Sequence, residues 1–117
     1  MKLSRVRYGV GAAAVAMSVV VLSAGPASAA GKTWYRDCAK DTKYVAKVSA
    51  HEATTTKSGG SCAGHAWVRI KVEGSSKWGT WADSNSTAKR ISPVYKIVQS
   101  QHKDCNCSTA KIVTLKP

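Results

Sequence analysis

The most regular stretch of the chain is His65–Glu73, "HAWVRIKVE", where apolar and polar positions alternate. Ala66, Val68, Ile70 and Val72 fall on one side, and His65, Trp67, Arg69, Lys71 and Glu73 on the other. A period of two held over nine residues is the pattern of a half-buried antiparallel strand. "GSSK" then turns the chain and "WGTWAD" returns it, which predicts a β-hairpin with a short loop. Trp78 and Trp81, three apart, fall on opposite faces of that return strand, so one of them flanks Trp67 across the hairpin. Tyr44–His51 is a further strand, rich in β-branched and aromatic residues, although alanines and lysines recurring through "CAKDTKYVAKVSA" give a weak competing helix signal. "EATTTKSGGSCAG" reads as a loop with its turn at Gly59-Gly60, and "SNSTAKRIS" as turn chemistry carrying the basic pair Lys89-Arg90. Pro93 has no ladder donor and limits the pairing around it. "VYKIVQSQH" and "AKIVTLK" supply the last strands. The expected fold is all-β, a small disulfide-stabilised antiparallel sandwich or barrel of five or six strands, with its topology open.

The first residues change the picture of where this domain works. Lys2, Arg5 and Arg7 precede an uncharged run from Gly9 to Gly25, and Ala27-Ser28-Ala29 follows Pro26. A basic start, an apolar middle and an A-x-A site make a secretory signal peptide. A membrane anchor is the rival, but the run is short for a span of about 20 residues, is Gly/Ala-rich and ends in a cleavage site. Residues 1–29 are therefore expected to be removed, and residues 30–117 to form one extracellular domain with a short N-terminal arm. No membrane partner is expected after cleavage.

The 88 residues left when 29 are removed from 117 can build only a modest core. All four cysteines, Cys38, Cys62, Cys105 and Cys107, lie in that part, and an oxidising destination makes them disulfide partners. Bridging Cys105 to Cys107 would close a tight ring, and disulfide geometry disfavours it, since the Cβ atoms of residues i and i+2 in an extended strand lie too far apart. Cys38 and Cys62 are then expected to tie to the Cys105–Cys107 corner, in either of two connectivities. A zinc site of His102, Cys105, Cys107 and His65 competes, but structural zinc favours wider cysteine spacing and reduced thiols. Neither metal nor cofactor is expected.

Charge comes next. With 15 Lys and Arg against 6 Asp and Glu the cleaved chain carries +9, scattered without a dense Arg run. Anionic polymers and acidic protein clefts are candidate partners, a plain solvated surface is the rival reading, and no specific nucleic acid is expected. A small cationic ribonuclease would need a carboxylate base, a histidine acid and phosphate-binding arginines. Glu52 or Glu73, His102, and Arg69 or Arg90 are available, yet nothing in their spacing holds them together. No hydrolase elbow, zinc-protease helix or phosphate loop occurs. The three histidines fall at strand ends or on outward faces, where surface positions without a role are the default.

Two kinds of binding feature remain. "GKTWYR" places Lys32, Trp34, Tyr35 and Arg36 ahead of the first cysteine, as a basic-aromatic arm suited to a groove on another protein, or as an edge strand of the same sheet. The Trp67, Arg69 and Lys71 face is either an exposed patch or the cover beneath a second sheet. Lys89, Arg90 and Lys103 lie in predicted loops, and a rigid loop offering a basic side chain suits a trypsin-like pocket. A protease inhibitor presenting Lys103 or Arg90 is one reading of that geometry.

The signal, the chain size, four cysteines, "CAGHAWVRIKV…WGTWAD" and the late cysteine corner together resemble the small adapter subunit of the umbrella toxin particles secreted by Streptomyces. The resemblance implies a non-enzymatic adapter joining a large toxin polypeptide, which bears repeat-built arms, to a lectin with a trypsin-like domain. It implies that the arm Lys32, Trp34, Tyr35 and Arg36 engages the toxin's repeats. It also implies that a basic loop at Lys89-Arg90 or Lys103 engages the trypsin-like domain.

Overall fold

The computed structural model describes residues 29–117, so the expected signal segment lies outside the described residues except for Ala29. Eight strands follow: β1 (Ala30–Arg36), β2 (Thr42–Val48), β3 (Glu52–Ser58), β4 (Ala66–Val72), β5 (Ala82–Ser84), β6 (Thr87–Ile91), β7 (Ile97–Lys103) and β8 (Ile112–Leu115). They form two four-stranded antiparallel sheets, ordered β1-β2-β3-β6 and β5-β4-β7-β8. The all-β expectation holds, as a sandwich and not a closed barrel, with eight strands in place of five or six.

The additional strands lie where turn chemistry or an arm was expected. Glu52–Ser58 pairs with β2 and β6. Its threonines are β-branched and suit a pleated surface better than a loop, and Ala53 and Thr55, two apart on one face, are fully buried. "GKTWYR" is no free arm, because β1 pairs with β2 along its whole length, from Ala30↔Val48 to Arg36↔Thr42. Lys89 and Arg90 sit in β6, not in a loop. The hairpin after β4 exists, but its return ladder covers only Ala66↔Ser84 to Val68↔Ala82. Its connection is correspondingly long.

The facing sides of the sheets bury Val48, Ala53, Ala66, Val68, Ala88 and Ile97 in one cluster, and Trp34, Tyr44, Ala46 and Val113 in another. Alanine is frequent in this core, and in a chain with no Phe its largest aromatic contact is Trp34 stacked on Tyr44, with ring centroids 5.5 Å apart. Register separates two poles. One holds Arg36, Thr42, Lys103 and Ile112, and the other Ala30, Val48, Ile97 and Leu115.

The cysteines pair as Cys38–Cys62 and Cys105–Cys107, which corrects the expected tie between the early pair and the late corner. The premise of an extended backbone fails there. β7 ends at Lys103 and the chain bends through Asn106 and Cys107, leaving the two Cα atoms 5.4 Å apart, an ordinary disulfide separation. Cys38–Cys62 closes a loop of sequence separation 24, worth roughly 3 kcal/mol by restriction of the unfolded chain. Gly60 serves that junction: with φ +72 it lies so close to Asp41 and Thr42 that a Cβ would collide with both.

His102, expected at the surface, is fully buried between the sheets. Thr55 Oγ1 donates to the Trp67 carbonyl at 2.8 Å and so accepts from His102 Nδ1 at 2.7 Å. Nε2 is then the unprotonated atom, accepting from Ser100 Oγ at 2.7 Å. Burial holds the imidazole pKa down to about 4 from the usual 6.5, against a smaller raising effect of a backbone bond at Thr54. The unfolded chain takes its proton near pH 6.5 while the folded one resists until about 4. Stability is therefore complete above pH 6.5 and is lost as pH falls toward 4, by up to about 3 kcal/mol. Urea midpoints should fall between about pH 7 and about pH 4.5, and less steeply in a His102→Gln variant.

Candidate functional site

The outward side of β4 and β7 carries Trp67, Arg69, Lys71, Gln101 and Lys103, the residues that alternate with the buried set. The connection after β4 folds back over this side, where Gly79 N donates to the Ile70 carbonyl at 2.9 Å. Glycine permits that approach, since a Cβ at position 79 would stand 3.3 Å from the same oxygen. Arg90 holds the fold-back from the first sheet, with Nε donating to the Thr80 carbonyl at 3.2 Å and Nη2 to Thr80 Oγ1 at 2.7 Å.

Both indoles of "WGTWAD" thereby reach one side of the sheet, not the opposite faces expected of a return strand. The Arg69 guanidinium lies 5.0 Å from the Trp78 ring and 4.5 Å from Trp81. Lys103 Nζ lies 4.3 Å from Trp81 and 5.1 Å from Trp67, and Lys71 Nζ 4.9 Å from Trp78. Three cations and three indoles thus alternate in the order Lys71, Trp78, Arg69, Trp81, Lys103, Trp67. Each contact contributes about 0.5–1 kcal/mol at an open site. Gln101 Oε1 orients the guanidinium, accepting from Nε at 2.8 Å and Nη2 at 2.6 Å. Burial, then the nearby Arg69 charge, lower the Lys103 pKa below its ordinary value. All three indoles are half-buried, as are Arg69, Lys71 and Lys103, so the ladder is partly open to solvent.

Trp67 leads into a cleft of about 670 Å³ at the disulfide pole, lined also by Arg36, Cys38, His65, Asp83, Cys105 and Cys107. His65 Nδ1 meets Asp83 Oδ2 at 2.6 Å, with both side chains exposed. Behind the cleft lies Asp104, 1% exposed. Its Oδ1 accepts from Arg36 Nη1 at 2.9 Å and from Lys111 N at 3.0 Å, and its Oδ2 from Trp34 Nε1 at 3.0 Å. Burial raises the neighbouring Tyr44 pKa, the Asp104 charge adds to this, and Arg36 opposes it.

The residues expected to bind partners are dispersed by this arrangement. Trp34 is buried and bonded to Asp104, and Arg36 is ion-paired to the same carboxylate, so neither projects as part of an arm. Lys32 and Tyr35 are exposed on β1. Lys89 Nζ lies 3.5 Å from Glu52, Arg90 braces the fold-back, and Lys103 is held between two indoles, so none tops a projecting loop. The competing zinc set does not assemble: His102 is in the core and the two late cysteines are bonded to each other. Sequence reasoning missed Asp104 and the His65–Asp83 pair, whose partners are distant along the chain, and found the Trp67 face through its alternation.

No protein-family model, no curated protein and no solved structure matches this chain.

An Asp104→Ala variant removes three acceptor contacts at once and leaves a partly buried guanidinium unpaired. It should lose about 3 kcal/mol in urea denaturation, and Asp104→Asn, which keeps one acceptor, should lose less.

Proposed function

We propose that the chain is a secreted, non-enzymatic protein-binding module, working as an adapter between a lectin subunit with a trypsin-like domain and a large toxin polypeptide. The observation that carries the reading is the ladder of Lys71, Trp78, Arg69, Trp81, Lys103 and Trp67 on one open sheet face. Tryptophan and arginine are the side chains that most often dominate protein interfaces. Here their rotamers are already fixed by mutual stacking, which reduces the ordering cost of docking. A net charge of +9 on the cleaved chain favours a partner surface that is acidic.

The rival readings lose their named residues. A reactive-site inhibitor needs its basic side chain free on a projecting loop, whereas Lys103 is stacked and Arg90 is bonded to the fold-back. A nuclease using His102 needs that ring at the surface, whereas it is enclosed by Thr55 and Ser100.

The test is recovery of the tagged chain from a Streptomyces culture supernatant. It should elute in one large species with both a lectin bearing a trypsin-like domain and a toxin polypeptide. Trp81→Ala, which removes the indole shared by Arg69 and Lys103, should cut that recovery about tenfold while lowering the melting midpoint by only about 5 °C. Elution of the native chain solely as a free monomer overturns the reading.

A further inference from the structure

We propose that Cys105–Cys107 is a thiol–disulfide exchange site, reached through the cleft in front of it. This is an activity separate from the binding face and does not depend on it.

The two disulfides differ in what they can do for the fold. Cys38–Cys62 spans a separation of 24 residues and Cys105–Cys107 only 2. A ring that small removes little freedom from the unfolded chain. The corner it occupies is already held, because Asp104 accepts from Arg36, Trp34 and the Lys111 backbone. The bond therefore lies between two anchored points, Asp104 and the Lys111 backbone, and its Cys107 end is exposed at an open cleft that the half-buried Cys38 of the other bridge also lines.

Its surroundings suit exchange chemistry. Cys107 is exposed and Cys105 is buried, at 6%. An incoming sulfur therefore meets Cys107. The Arg36 guanidinium lies against both sulfurs, Nη1 at 3.4 Å from Cys105 Sγ and Nη2 at 3.7 Å from Cys107 Sγ. A cation at that distance, although shared with the Asp104 carboxylate, stabilises a thiolate and makes it a better leaving group. Across the cleft, Asp83 accepts from His65 Nδ1 at 2.6 Å, which leaves Nε2 as the ring atom able to take a proton from an approaching thiol.

The co-reactant is a dithiol, a peptide or small molecule with two adjacent thiols. One thiol loses its proton to His65 and its sulfur attacks Cys107 Sγ. A bond forms between those sulfurs, the Cys105–Cys107 bond breaks, and its electron pair stays on Cys105 as a thiolate facing Arg36. The second thiol then attacks the sulfur of the first, closing the co-reactant's own disulfide and releasing Cys107. The chain gains two electrons and two protons, and the dithiol is oxidised by the same amount. In the opposite direction, the reduced chain opens a partner's disulfide.

The full secreted chain is titrated with dithiothreitol, quenched with iodoacetamide and mapped by mass spectrometry. Cys105 and Cys107 should be labelled together, about tenfold faster than Cys38 and Cys62, with the far-UV spectrum unchanged. In the reduced chain, alkylation at this pair should show a midpoint below the ordinary thiol value of about 8.5. Arg36→Gln should raise that midpoint and slow reduction about tenfold. A double variant, Cys105→Ser with Cys107→Ser, should keep its fold and lose only the fast phase. The proposal is overturned if both disulfides open together or Cys38–Cys62 opens first, or if the wild-type midpoint is ordinary. Unfolding of the double variant would overturn it equally, by making the bond a structural staple.

Discussion

The carboxylate of Asp104 is the point on which the two sheets agree. It leaves the end of β7 in the second sheet and accepts hydrogen bonds from Trp34 and Arg36 of β1, 70 and 68 residues earlier. It also takes the Lys111 amide just before β8. Burying a charge is expensive unless it is paired and its lone pairs are satisfied, and here three donors of different origin meet that condition together. Trp34 is thereby oriented to stack on Tyr44, and that stack fills the core on the β1, β2 and β8 side. Arg36, fixed by the same anion, is aimed past it at the sulfurs of the Cys105–Cys107 bridge. Packing and site chemistry at this pole thus share one anchor.

The outer face of the second sheet rests on a different constraint. Arg69, Lys71 and Lys103 are like charges on neighbouring strands, an arrangement that repels in an ordinary sheet. Intervening indoles separate the charges, and the fold-back of residues 73–81 is what brings Trp78 and Trp81 between them. Arg90 of the first sheet secures that fold-back. Both sheets therefore contribute to a surface that only one of them displays.

The elements legible in the sequence were those with a simple period. β4 alternates cleanly, and its outward Trp67, Arg69 and Lys71 could be placed on one face before any contact was known. β3 and β6 were hidden because Thr54, Thr55, Thr56, Lys89 and Arg90 resemble loop composition, although threonine in particular suits a strand. β7 inverts the usual rule at its end, turning the polar Ser100 and His102 inward, where they satisfy each other and Thr55. The connection of Cys105 to Cys107 depended on a bend that no pattern announces. Asp104 was one acid among many lysines until its partners, nearly seventy residues away in the chain, could be seen.

The separation of the domain into two poles has a mechanical side. Ala30 and Leu115, the outer ends of the first and last strands, lie at one pole, while the cleft, Arg36 and the late disulfide lie at the other. Any polypeptide fused or tethered at either end of the sandwich departs from the side opposite the cleft. The sandwich can be carried from behind while its front stays open.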